Sequence, residues 1–561
     1  MSLLLTAAAF VLWAISLLQL SQTGLVADDM GYVHTLPLSF WAAMVLLTIA
    51  SAFLWTSSRD HQGLLALQTC LFISIFWLTP LLLGSTLTGT RYTFSLHTVT
   101  QYILRYGHLD PASQWYHNWP AFSLLEAAVL ELAGIKNADT LLIWAVVPMQ
   151  FLSVLMLYAF LRRALGLGNH CWAAVWFYML FNWTGQTYFS PQGLGNILLL
   201  TLLFLLAMGV TERSGGPSLR LVGVVAIVGL TITHALTSLA GLFVVAALGL
   251  RKRQLPVLAM LFAVLIAAWL VYEATVWFDS QVLPFAERAM RFERLWFWNM
   301  ARPFQGSEGH ATVASIRIWF SLAAGVIALS GLALSLRIRA PGDRAVLAMA
   351  AGIIFMAPFQ FYESELFIRL FLFIIPMLAY FAVSLLRARV TALVLVLLLL
   401  VALPFGVIAL HGNAPIDYVS PSQRAYWRFL EDKTDRGNLG FGGMPIVWTF
   451  GYADRYVSGY DWIAAFKSEW LDRMVGRAWV QADMPNYLGF TGYEEGGFRM
   501  WTDLPEGKSE LLAQVNEMSD HILIYDNGEV TSFYHNGVKQ PYYEWQGRRC
   551  SYEVTLTCWE D

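Results

Sequence analysis

Charged residues are scarce in this chain: Asp, Glu, Lys and Arg make up 13% of its 561 residues, roughly half the share in an average soluble domain. That shortage excludes a water-soluble globular protein of this size. Cysteine is scarcer still. Four in the whole chain exclude a disulfide scaffold or a cysteine-rich zinc domain. Positive charge is not in surplus either: 35 Lys and Arg against 38 Asp and Glu leave a net charge of −3, so nothing points to nucleic acid. Internal repeats and low-complexity segments are absent. The first apolar run, Leu3 to Leu20, has no basic segment before it and no small-residue cleavage site after it, so it reads as a retained span rather than a secretory signal.

What the chain has in abundance is apolar sequence, 57% hydrophobic and 15% aromatic. Runs of about 20 residues recur, enough to cross a hydrocarbon core about 30 Å thick as helices. Some thirteen are expected, near 3–20, 38–56, 63–84, 139–161, 170–183, 193–210, 218–233, 236–250, 255–277, 313–335, 345–361, 366–386 and 390–411. The short pair meeting at Thr233 and His234 also reads as a broken hairpin.

Two kinds of loop alternate between these runs. One kind is short and basic: Arg59; Arg162 and Arg163; Arg213 and Arg220; Arg251, Lys252 and Arg253; Arg337, Arg339 and Arg344; Arg387 and Arg389. The positive-inside rule sends these to the cytoplasm. The N-terminus is then cytoplasmic and the C-terminus extracytoplasmic, in a cell (inner or plasma) membrane. The other kind holds His, Asp, Glu, Tyr and Gln, at 85–138, 184–193 and 278–315, with Asp28 and Asp29 in the first outer loop. Within 85–138, an amphipathic stretch near His97–Tyr106 and the apolar Ala121–Ile135 predict helices lying at the interface. Arg288, Arg291 and Arg294, beside Trp296, Phe297 and Trp298, predict another.

The fold class is therefore an all-α polytopic membrane domain, 1–411, followed by an extracytoplasmic α+β domain, 412–561. That second domain opens with a helix signal, Ser420 as cap, Pro421 as first residue and Gln423 as reciprocal cap. Asn527-Gly528 between two strand-like runs predicts a hairpin. Cys550 and Cys558 suit a local disulfide if the region is extracytoplasmic.

The sharpest string is Phe181–Gly193, FNWTGQTYFSPQG. Polar side chains at membrane depth are costly unless they line a cavity or site, and Tyr188, Ser190 and Gln192 offer hydroxyls and an amide there. The bland reading is an ordinary interhelical loop. The string resembles the outer-face loop NW-x-x-Q-D-Y-F-S-P-Q of a group of prokaryotic multi-span proteins with the GT-C glycosyltransferase fold. Three more segments resemble that group, in order: HTVTQYILRYGHLD with YHNWPAFSLLEAAVLELAGI, its large first loop; THALTSL, a His-x-Leu-Thr turn; and FYESELFIRLFLFIIP, a Tyr-x-x-Glu-x-x-x-Arg turn. Together they cover most of residues 60–390. The resemblance implies transfer of a sugar from a polyprenyl-phosphate carrier to an acceptor on the outer face, usually with inversion and without a nucleotide. Its partners would be a polyprenyl-phosphate-linked sugar, membrane lipid, and a glycan, lipid or protein acceptor, with a membrane protein partner possible.

Such a donor needs a cation at membrane depth. Arg369, with Glu365 one turn before it, is the candidate phosphate contact, assisted by His234, Tyr188 and Gln192. A plain Glu–Arg pair at a helix top and a helix-end histidine are the alternatives. Acceptor activation needs a carboxylate base. Where the group has acids, this chain has Phe94 and Ser95 ahead of His97, and Thr187 ahead of Tyr188. Asp110 is the leading candidate base, with Glu365 second, although Asp-Pro is also a common turn. His97, His117 and Trp119 are candidate substrate contacts. The spacing of His97, His108 and His117 matches no metal pattern, so neither metal nor other cofactor is expected. Two further readings stand: a non-catalytic subunit that kept the fold without the acids, and a flippase of lipid-linked glycans, which would show matching pseudo-symmetric halves.

The orientation has a direct check in a cysteine-free background. A membrane-impermeant thiol reagent added to intact cells should modify Asn527→Cys and spare Arg59→Cys and Arg387→Cys. The reverse pattern would invert the topology.

Overall fold

The computed structural model describes residues 1–87, 89–111, 115–164, 166–184, 188–211, 217–250, 255–279, 306–338, 342–357, 366–413, 418–433, 439–442, 457–460, 487–492, 495–497, 506–516, 521–535, 543–545, 548–552 and 556–559. Glu365, Thr187 and the arginine–aromatic run at 288–298 lie outside the described residues.

Within that set the chain is a helical bundle with a small sheet domain after it. The helices are α1 (Ser2–Thr23), α2 (Leu38–Trp55), α3 (Gln62–Leu82), α4 (Thr90–Tyr106), α5 (Ala121–Ala133), α6 (Asp139–Arg162), α7 (His170–Phe181) and α8 (Pro191–Thr211). They continue as α9 (Pro217–Thr233), α10 (Ala235–Gly249), α11 (Leu255–Tyr272), α12 (Glu308–Ile338), α13 (Asp343–Phe355), α14 (Leu366–Ala382) and α15 (Arg389–His411). Each of the thirteen expected runs falls on a helix. Among the described residues, nine helical segments are long and apolar enough to cross a membrane. The other four are shorter: α7, α9, α10 and α13.

Helix α7 is the axis. Every residue from Cys171 to Phe181 is buried, because this short helix has neighbours on all sides. At the other extreme, only Phe262 of α11 is buried, and its apolar exterior suits contact with lipid. Close approach is set by glycine. A Cβ at Gly331 of α12 would sit on the carbonyl oxygen of Phe381 in α14, and one at Gly352 of α13 would meet the Phe243 carbonyl of α10. Small residues let membrane helices pack backbone to backbone in this way.

Described loops of each class are tied to one another. In the basic class Arg162 pairs with Asp60 at 3.1 Å, and the Asn169 side chain donates to the Arg59 carbonyl at 2.6 Å. In the other class Ser307 donates to Asp29 at 3.3 Å, the Asn413 N–H donates to the Asp29 carbonyl at 2.9 Å, and Arg317 donates to the Gly412 carbonyl at 3.0 Å.

The C-terminal domain adds α16 (Pro421–Lys433) and a five-stranded sheet in the order β2-β1-β3-β5-β4, from β1 (Leu439–Gly442), β2 (Val457–Tyr460), β3 (Tyr487–Phe490), β4 (His521–Asp526) and β5 (Thr531–His535). Ser420 caps α16, its hydroxyl accepting from the Gln423 N–H at 2.9 Å. The reciprocal half of the expected capping box is replaced: the Gln423 amide donates to Glu529 at 3.2 Å, because β5 and its turn pack over this helix end. Asn527-Gly528 turns the β4–β5 hairpin, with Gly528 at φ +85°. A three-stranded sheet follows, β6 (Tyr543–Trp545), β7 (Arg548–Tyr552) and β8 (Leu556–Trp559), in which Cys550 and Cys558 are register partners. The domain docks on the helical bundle through the Val419 N–H to Thr86 (3.2 Å) and Arg428 to Asp139 (2.6 Å).

Gly331→Ala should destabilise the bundle by about 1–3 kcal/mol, the range for overpacking. Gly325→Ala on the same helix, where a Cβ meets nothing within 4 Å, should be neutral or slightly stabilising. Unfolding of the two variants in detergent measures the difference. Equal stability would mean that α12 and α14 do not approach at Gly331.

Candidate functional site

The end of the bundle that holds Asp29 and Asn413 is organised by two helix breaks. In the first, Asn182 ends α7, and α8 restarts at Pro191, whose missing N–H suits a first helical position. Ser190 caps it, accepting from the Gly193 N–H at 3.1 Å. In the second, α9 and α10 are interrupted by the single residue His234, in extended conformation. Its Nδ1 lies 2.9 Å from the Thr237 hydroxyl and accepts from the Thr237 N–H at 3.4 Å, while Ser238 reaches back to the Leu230 carbonyl at 2.6 Å. The histidine is thus the N-cap of α10 and the broken hairpin is real.

The two breaks adjoin. A Cβ on Gly195 would stand 3.1 Å from the Thr237 hydroxyl, and Gln192 is three residues before Gly195, on the same face of α8. The Gln192 side chain is 3% exposed and its Nε2 has no hydrogen-bond partner. Arg369, in the first turn of α14, is near enough to His234 for its charge to act on the ring. Sequence reasoning put Arg369, His234, Tyr188 and Gln192 in one donor-binding set; in the structure the two helix breaks bring the His234 turn and the start of α8 close together. Tyr188 lies in the same loop but faces α4: its ring is 2.5 Å from where a Cβ on Gly89 would be, and 5.6 Å from Tyr92.

His97 points elsewhere. It is 2% exposed, its Nδ1 is 2.7 Å from Glu126, and its Nε2 is 2.7 Å from the Gln101 amide. Thr100 donates to the second Glu126 oxygen at 2.7 Å. Both ring nitrogens are occupied, so His97 clamps α4 to α5 instead of offering a nitrogen to a substrate. Glu126, overlooked in the apolar run Ala121–Ile135, is the acid that this clamp needs. Its one signal was an ionisable residue inside a run otherwise apolar on that face. Arg91 was also missed. It is 7% exposed, donates to the Tyr92 hydroxyl at 2.7 Å and lies 4.6 Å from that ring.

Asp110 and His117 form a second group. The Asp110 N–H donates to His117 Nδ1 at 3.1 Å. Burial pushes the His117 ring below its ordinary pKa, against the Asp110 charge, which pulls it up. Trp119, two residues further on, is buried and meets Trp277 edge to face at 4.8 Å. Together with Thr231, Ala235, Ser238, Ile266 and Trp269 it lines an apolar cavity of about 50 Å³ beside the His234 turn. Trp269 fixes this wall by donating to the Asn118 carbonyl at 2.9 Å. Glu365, the other candidate acid, lies outside the described residues. Among the described residues no cluster of three or more His, Cys, Asp or Glu could hold a metal.

No protein-family profile and no curated protein matches this sequence. Solved structures similar in overall path include the oligosaccharyltransferase of Archaeoglobus fulgidus in complex with zinc and sulfate, at 11% identity and a TM-score of 0.46, covering 84% of this chain and 73% of that one. ArnT from Cupriavidus metallidurans in the apo state is similar at 15% identity and a TM-score of 0.35, covering 84% and 98%. The same protein bound to undecaprenyl phosphate is similar at 14% and 0.34, again covering 84% and 98%. Scores of this size decide nothing about chemistry.

Breaking the buried His97–Glu126 contact leaves an uncompensated polar group, which costs about 3–5 kcal/mol when the pair is ionic. Glu126→Ala should therefore unfold well before wild type, and the exposed Glu131→Ala within about 0.5 kcal/mol of it. Equal unfolding of the two would remove the clamp from the fold.

Proposed function

We propose that this protein is a membrane glycosyltransferase of GT-C type that moves a sugar from a polyprenyl-phosphate-linked donor to a glycan, lipid or protein acceptor, with inversion, on the extracytoplasmic face of the cell membrane. One observation carries the reading: the Arg369 charge lies within electrostatic reach of the His234 ring, and the His234 turn approaches α8 at Gly195, close to the buried, unpartnered Gln192 amide. A guanidinium, a helix N-terminus and an amide donor together suit a phosphate at the membrane interface. The apolar, tryptophan-walled cavity beside them suits the uncharged part of such a ligand.

Arg369 would hold the donor phosphate and stabilise the charge that develops on it as the glycosidic C–O bond breaks. His234, fixed as a cap, would orient that phosphate. Asp110 would take the proton from the acceptor hydroxyl as that oxygen attacks the anomeric carbon. No step calls for a metal or other cofactor.

The test is sugar release from labelled polyprenyl-phosphate sugars by the purified chain in lipid. Arg369→Ala should lower kcat/KM roughly 10- to 100-fold, the size of one charged hydrogen bond. Asp110→Asn should lower kcat about 10²- to 10⁴-fold, as expected for loss of a general base. Full activity in Asp110→Asn would move the base to Glu365 or Asp28. Phe94, Ser95 and Thr187, which replace the acids of the resembling group, favour a second reading, a non-catalytic subunit. Donor binding that Arg369→Ala weakens, without turnover of any donor by wild type, would establish it.

A further inference from the structure

The C-terminal half of α4 carries a cluster that the donor site does not use. Tyr102 and Tyr106 stand one turn apart on one face of the helix, with ring centroids 4.7 Å apart and tilted by 46°. Tyr106 is 37% exposed, and the Arg105 guanidinium lies 5.6 Å from its ring. His108, exposed at the helix end, places Nε2 3.3 Å from the Tyr102 hydroxyl. The His117 ring meets Tyr102 edge to face at 5.0 Å. Desolvation first, and the Asp110 carboxylate second, hold the Tyr102 hydroxyl above its ordinary pKa, which places that carboxylate beside the ring.

This group is separate from the Tyr188 loop. Tyr92, which faces Tyr188, is fourteen residues before Tyr106, about 21 Å along a helix rising 1.5 Å per residue. It is nonetheless continuous with the donor end, because Asp110 and His117 lead directly to Trp119 and the cavity beside His234.

An exposed and a half-buried aromatic ring, edged by a carboxylate, two imidazoles and a guanidinium, have the chemistry of a sugar-binding surface. The apolar C–H face of a pyranose stacks on an aromatic ring, and its hydroxyls donate to carboxylate and imidazole and accept from guanidinium. A ring that merely anchors a helix at the lipid interface has no use for so many polar groups at its edge. We propose that Tyr102 and Tyr106, with His108 and Asp110, form a carbohydrate subsite that holds a saccharide acceptor and delivers its hydroxyl towards the donor. The proposal rests on the glycosyl-transfer reading and specifies its acceptor as a glycan.

The experiment uses the full chain in lipid nanodiscs on an array of oligosaccharides ending in neutral hexose, N-acetylhexosamine, deoxyhexose and uronate. Binding of undecaprenyl phosphate is measured in parallel. Wild type should retain at least one glycan class. Tyr102→Ala and Tyr106→Ala should each weaken it about tenfold, Tyr102→Phe should keep most of the affinity, and Arg369→Ala should leave it unchanged. All four proteins except Arg369→Ala should bind undecaprenyl phosphate like wild type, which shows that the tyrosine variants are folded. A glycan held equally by every variant, or lost in Arg369→Ala, overturns the subsite. So does an array on which wild type binds nothing. In that last case brominated-lipid quenching of the two tyrosines would make them interfacial anchors, and retained undecaprenyl phosphate binding would leave the donor reading intact. Loss of undecaprenyl phosphate binding by wild type, with glycan binding kept, would instead remove the donor reading.

Discussion

A polar group in hydrocarbon has no water to bond with, so partners for those inside this bundle have to come from the protein. Gln68, fully buried in α3, accepts from Ser51 of α2 and donates to Ser2 and Thr6 of α1, so one amide ties three helices together. Hydroxyls in the middle of helices turn back on their own backbone: Thr48 on Met44, Thr69 on Leu65 and Thr231 on Ile227. Asn196 of α8 donates to Tyr178 of α7 at 3.2 Å.

The same constraint explains why the helix breaks matter. Interrupting a helix at membrane depth frees backbone groups, and these must be capped from nearby. At His234 the imidazole caps α10 and Ser238 reaches the Leu230 carbonyl of α9. At the other break Ser190 caps α8. Each break opens a polar spot in an apolar setting, and the Gly195–Thr237 approach brings the two spots together. Arg369 reaches this place because α14 begins at the same end, packed on α12 and α7.

Much of this was legible in the chain. Hydropathy located the nine described helices that are long and apolar enough to cross a membrane, because that signal is local and repeats many times. The hairpin at Asn527-Gly528 and the cap at Ser420 were legible for the same reason, being short-range chemistry. The candidate site was legible in part. His234, Gln192 and Arg369 could be singled out as polar residues at positions where polarity is costly. Glu126 could not, since its role depends on a histidine 29 residues earlier, on another helix. His97 was misjudged for the same reason: in sequence it is a histidine in an outer loop, and in the fold it is half of a closed contact.

The sequence by itself determined the polytopic helical class and the order of the apolar helices, because the bilayer imposes one rule on every segment independently. Tertiary structure alone decided which polar side chains are committed to one another, as His97 is to Glu126. Side-chain pairing between helices depends on their rotation and on close approaches at Gly331, Gly352 and Gly195. Those follow from packing of the whole bundle, and no single segment carries them.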